Sequence, residues 1–130
     1  MSRILIAEDD RLQGAAMRAC LIDGGHEVRV VGDGDELLDR YAQASADVIV
    51  LDHRMPRRSG LEALQVIRAA RMGAAIPVMM VTAENDPRFT LEALRAGADD
   101  FLAKPFSPHE FARRIAALLV RHPCQRSLIA

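Results

Sequence analysis

The chain has 130 residues, half of them hydrophobic, and its 17 lysines and arginines nearly cancel 18 aspartates and glutamates, for a net charge of -1. This is enough apolar material for one domain with its own core and leaves no room for a second. The charge balance excludes a chain built around nucleic acid or an anionic membrane, so any activity must come from a local site. Met1-Ser2-Arg3 runs straight into a short apolar stretch with none of the layout of a signal peptide, and no apolar run approaches bilayer length. The expected location is the cytoplasm, with no membrane partner. Cys20 and Cys124 are too isolated for a metal motif or a disulfide framework and read as a core thiol and a tail thiol.

In chain order, residues 4–7 form the first apolar run, followed at once by Glu8, Asp9 and Asp10. Asp10 with Gln13 predicts the cap and capping box of a first helix, which Gly24 should stop. Residues 28–31 give a second strand, and Asp33 with Glu36 opens a second helix. Residues 48–51 give a third strand running into Asp52. Leu61, Leu64 and Ile67 then share one side of a helix, with Glu62, Gln65 and Arg68 on the other. Residues 78–81 make the fourth strand, with Met79 and Met80 in the core and Thr82 at its end; Asp86 and Pro87 mark the next helix, and Gly97 its stop. Residues 101–103 make the fifth strand, followed by Lys104.

Ser107-Pro108-His109-Glu110 supplies a cap, a proline at the first helical position and a reciprocal glutamate for the last helix. Phe111, Ile115 and Leu118 point inward there, and Arg113 and Arg114 outward. The helical pattern fades after Arg121, which divides a domain over residues 1–121 from a tail or linker stub over 122–130. The first, third and fourth strands lack clean alternation, as strands covered on both faces do. Five strand–helix repeats predict an α/β fold, a doubly wound parallel sheet with helices on both faces and right-handed crossovers.

In such a sheet ligands bind beyond the carboxyl ends of the strands. Glu8, Asp9, Asp52, Thr82 and Lys104 all fall there. Crowded carboxylates need a cation, and hard oxygen donors without histidine or cysteine suit Mg²⁺, or Mn²⁺ in its place. Asp9 and Asp52 are expected as direct ligands, the backbone carbonyl of Arg54 as a third, and Glu8 through water. Lys104 and the Thr82 hydroxyl would hold the remaining oxygens of a phosphoryl group. His53, His109 and the other histidines read as solvated.

Taken together, Ile4-Leu5-Ile6-Ala7-Glu8-Asp9, Asp52-His53-Arg54-Met55-Pro56, Val81-Thr82-Ala83 and Lys104-Pro105-Phe106 resemble a CheY-like response-regulator receiver domain over nearly the whole chain. The resemblance implies the flavodoxin-like strand order 2-1-3-4-5 with five helices. It also implies that Asp52 accepts a phosphoryl group from a histidine kinase or a histidine phosphotransfer protein, and that the Lys104–Pro105 bond is cis. Thr82 and Phe101 take the family's switch positions, reshaping the surface around the fourth and fifth helices. Arg54 and Glu84 border the approach of the attacking water, where a pair between them would slow hydrolysis.

The segment from Ala96 to Phe101 and the last helix are most similar to receivers joined to winged-helix DNA-binding domains, which implies a homodimer through the fourth and fifth helices. Asp100, Arg114 and Glu110 match that scheme, whereas Thr90 and Arg95 depart from it. DNA would be reached only through an output domain outside this chain. Two other readings compete: a receiver-like interaction module that works without phosphorylation, and a phosphoaspartyl hydrolase. The acidic set with Lys104 argues against the first. Arg54, where the hydrolases carry a second carboxylate, argues against the second, so turnover of an external substrate is not expected.

Overall fold

The structure, a computed structural model, describes residues 2–70, 75–83 and 87–129, with side chains as far as Val120. Five strands alternate with five helices: β1 (Arg3–Ala7), α1 (Arg11–Ile22), β2 (Glu27–Val31), α2 (Gly34–Gln43), β3 (Val48–Asp52), α3 (Gly60–Ala69), β4 (Val78–Thr82), α4 (Pro87–Arg95), β5 (Asp100–Ala103) and α5 (Pro108–Ile129). All pairings are parallel, and the sheet order is β2-β1-β3-β4-β5. The three runs without alternation are therefore the three inner strands. Every residue of β3 and β4 is buried, whereas the edge strand β2 alternates in part.

Alternate strand residues feed two separate cores. Leu5, Ile49, Leu51 and Met80 face α2, α3 and α4, where they meet Leu37, Leu64, Ile67 and Phe89. Ile4, Ile6, Val48, Val50, Met79 and Val81 face α1 and α5, against Met17, Leu21, Phe111 and Ile115. Each such buried side chain contributes about 1.5–3 kcal/mol relative to exposure. The sheet is thus pinned from both sides, which fixes the level at which its strands end.

Several local expectations are corrected. Asp10 does cap α1, accepting from the amides of Leu12 and Gln13, but its own N–H donates to Glu8 Oε2 at 3.3 Å, which leaves no reciprocal arm for Gln13. The left-handed residue after α1 is Gly25, at φ 86°, rather than Gly24; Gly97, at φ 111°, does follow α4. Ser107 accepts the Glu110 amide at 3.0 Å, while the Glu110 carboxylate turns to Arg114 instead of back to the cap. A full capping box occurs at Ser59 and Glu62, heading α3.

Arg68 and Arg114, read as outward-facing, are mostly buried and tie elements together. Arg68 donates to the Gly97 carbonyl at 3.0 and 2.8 Å and pairs with Asp99 at 2.8 Å. Arg114 pairs with Asp100 at 2.9 Å. The α5 backbone continues as helix beyond Arg121, where apolar periodicity alone suggested an end. The Asp86 cap falls outside the described residues.

Candidate functional site

Strand ends place the acidic residues. The Glu8 amide donates to Val31 O at 2.9 Å, extending the β1 ladder by one residue and bringing the Glu8 side chain to the sheet's carboxyl rim. Asp52 closes β3 beside it. Both are buried, at 3% and 5% exposure, while Asp9 is exposed. One carboxylate oxygen from each of Glu8, Asp9 and Asp52 lies within 4.8 Å of the others.

The other side of the pocket comes from the next two strands. Lys104 donates its amide to Thr82 O at 2.9 Å, so the residues following β5 and ending β4 stand level. Its Nζ lies 2.6 Å from Glu8 Oε1 and 3.2 Å from Asp52 Oδ2. The Lys104–Pro105 peptide is cis. Thr82 is buried at the end of β4.

Three carboxylates face one ammonium here, and the electrostatics show the crowding. Burial pushes the Glu8 carboxyl above its usual range, helped by its hydrogen bond and charge contact with Asp52 and opposed by Lys104. Burial alone would depress the Lys104 ammonium. Its hydrogen bond to Glu8 and the charges of Asp52 and Glu8 outweigh that and raise it. Lys104 thus stays charged at neutral pH, and its closest partner is Glu8 rather than Asp52. The donor set fits a hard divalent cation: three carboxylates from adjacent strand ends, with no histidine or thiol among them.

The remaining candidates are spread around this pocket. Arg54 is exposed on the loop after β3. Glu84 lies outside the described residues, so the expected Arg54–Glu84 pair is carried forward as a proposal. Phe101 is half-buried and packs edge-on to Phe89, with ring centroids 5.9 Å apart. His53, expected to be solvated, is half-buried: its ring centroid lies 4.0 Å from that of Phe89. The strand alternation that puts Ile49 and Leu51 on the α3–α4 side also predicts that side for His53, a signal the sequence contained. No such signal marks Arg58, whose guanidinium reaches Asp35 at 2.8 Å and ties the loop after β3 to α2. Asp100, Arg114 and Glu110, expected to bridge two copies, pair with one another within a single chain.

A doubly wound sheet of this order, with an acidic pocket and a lysine at its carboxyl rim, has its candidate site where sheets of this class bind their ligands. Residues 4–116 match the response regulator receiver domain family, and the chain belongs to it. It is 40% identical over 119 residues to the response regulator MprA of Mycolicibacterium vanbaalenii, a match covering 92% of this chain and 51% of that protein. The chain therefore spans about half the length of the curated relatives it matches.

Among solved structures it is similar to the chemotaxis response regulator CheY4 of Vibrio cholerae, with a TM-score of 0.87, 30% identity, and 92% and 99% of the two chains covered. The receiver domain of the Francisella response regulator 1452 gives a TM-score of 0.87 at 30% identity, covering 93% and 98%. The chain is thus a receiver domain of the two-component response-regulator type, a signalling family, with an acidic pocket able to take a metal ion. No helix among the described residues is long and apolar enough to cross a membrane.

Proposed function

We propose that this domain is a phosphorylation switch in which Asp52 is the acceptor and the donor is the phosphohistidine of a histidine kinase or histidine phosphotransfer protein. A carboxylate oxygen of Asp52 bonds to phosphorus as the phosphorus–nitrogen bond breaks, giving an acyl phosphate, while the donor's imidazole, protonated on its other ring nitrogen, takes the bonding pair and leaves neutral. The single observation that carries this reading is the convergence of Glu8, Asp9 and Asp52 within 4.8 Å, with the Lys104 ammonium 3.2 Å from Asp52.

Asp9, Asp52 and the Arg54 backbone carbonyl would hold Mg²⁺ directly, with Glu8 acting through water; Mn²⁺ could take the same place. When bound, the ion supplies positive charge opposite the phosphoryl oxygens. Lys104 neutralises a further oxygen, and the Thr82 hydroxyl offers a hydrogen bond to another. Burial of Asp52 and Thr82 keeps bulk water from most of the acyl phosphate. Arg54 and Glu84 would restrict the water that hydrolyses it, and the double change Arg54→Ala with Glu84→Ala should then speed dephosphorylation.

Phosphorylation draws Thr82 and Phe101 toward the inward state and reshapes the α4–α5 surface. The domain promotes its own phosphorylation and dephosphorylation and turns over no external substrate. It would act in the cytoplasm, free-standing or within a longer regulator, residues 1–121 being the receiver and 122–130 a C-terminal tail or linker stub. Homodimerisation through α4 and α5, and DNA contact through a separate output domain, complete the reading.

The test is intact-mass measurement after incubation with Mg²⁺ and a small acyl phosphate. One phosphoryl group should add to the native chain and none to Asp52→Asn or to the native chain in excess chelator. Labelling that survives Asp52→Asn would assign the acceptor elsewhere.

A further inference from the structure

Three aromatic rings connect the residue after the acceptor to the outer strand of the sheet. His53 follows Asp52 and projects to the α3–α4 side. Its ring lies 4.0 Å from Phe89, tilted by 37°. Phe89, nearly buried in the first turn of α4, meets Phe101 of β5 edge-on at 5.9 Å and 64°. The row is continuous, and an interior packed at crystal-like density has little free space in which a displacement could die away.

Two further features decide where a displacement can go. On the α3 side the backbone at Asp52 and His53 is clamped. A Cβ at Gly60 would collide with the Asp52 carbonyl oxygen, and the Gly60 amide donates to His53 O at 2.9 Å. At the far end of α4, Arg68 holds the Gly97 carbonyl at 3.0 and 2.8 Å and Asp99 at 2.8 Å. The α3 side and the C-terminal end of α4 are thus both tied, and Phe89 sits at the opposite end of α4, in its first turn.

We propose that Phe89 is the positioning residue that links the acceptor strand to the α4–β5 surface, through His53 on one side and Phe101 on the other. This rests on the phosphoacceptor reading of Asp52 and adds a route to it. A change at Asp52 moves the His53 ring, His53 displaces Phe89, α4 turns about its anchored end, and Phe101 repacks against the moved ring. Thr82 and Phe101 alone do not suffice, because Phe101 is held by a ring that belongs to α4.

The experiment uses the full chain, Mg²⁺ and beryllofluoride for amide chemical-shift mapping by NMR, with intact-mass labelling by a small acyl phosphate run in parallel. In the native chain, shifts should appear around Asp52 and Lys104 and extend through Leu91 to Phe101. In Phe89→Leu, mass labelling and the shifts near Lys104 persist while those at Leu91 and Phe101 are lost. His53→Leu gives the same result by a change outside the core of α4, and Phe89→Tyr, which keeps the ring, restores the native pattern. Undiminished shifts at Phe101 in both Phe89→Leu and His53→Leu would overturn the link. Absence of mass labelling in the native chain would instead overturn the phosphoacceptor reading beneath it.

Discussion

Glu8 and Asp52 share a buried corner in which burial and the neighbouring Asp52 resist the ionisation of Glu8, and this makes single-residue predictions directional. Asp52→Asn removes one negative charge from beside Glu8. It should stabilise the metal-free domain, measured as a higher urea midpoint in chelator. Glu8 titrates above its ordinary 4.5 because burial and Asp52 oppose its charge. A carboxyl with a raised folded pKa contributes stability that is complete below the unfolded value and is lost as pH climbs through the folded one. Glu8→Gln should therefore match the native chain in acid and become progressively more stable than it as pH rises above about 4.5 in the absence of metal. Urea midpoints of the two chains across that window test the sign, and a constant difference would contradict it.

At the scale of elements, α3 carries more of the site than its position on one face suggests. Its capping box at Ser59 and Glu62 fixes where the helix begins, and Gly60 in its first turn lies against the backbone of Asp52. Ser59→Ala should cost about 1 kcal/mol in thermal or urea unfolding. Gly60→Ala should cost more and also slow labelling of Asp52, since any methyl there must displace the acceptor's own carbonyl. The elements themselves were legible in the sequence because burial on both faces of β1, β3 and β4 writes unbroken apolar runs, and because Asp33, Asp10 and Ser107 are caps by chemistry. Glu8, Asp9, Asp52, Thr82 and Lys104 could be gathered because a parallel sheet brings all its strand ends to one rim. What stayed hidden depends on distances the order of residues does not encode. Arg68 finds Gly97 and Asp99 about thirty positions away, a long-range bond with no periodic signature. Glu110 looked like the second half of a capping box, yet Arg114 one turn later offered its carboxylate a full charge to pair with.

For the whole molecule, the two cores on either side of the sheet make the acidic pocket a tax on folding that a cation relieves. Mg²⁺ at roughly 100 times its dissociation constant should stabilise the domain by about 2.7 kcal/mol, seen as a higher melting temperature than in chelator, with a markedly smaller gain in Asp52→Asn. The outer flank of β5 shows a different economy. As the end of the sheet it would expose the peptide groups of Phe101, yet the Phe101 N–H donates to Asp100 Oδ1 at 2.8 Å and its carbonyl accepts from Arg114 at 3.3 Å. The ion pair of Asp100 and Arg114 thus acts as a selvedge, finishing the fabric where its weave stops. A second molecule arriving at Phe101 finds both of its peptide groups already taken, so recognition at that point must be written in side chains.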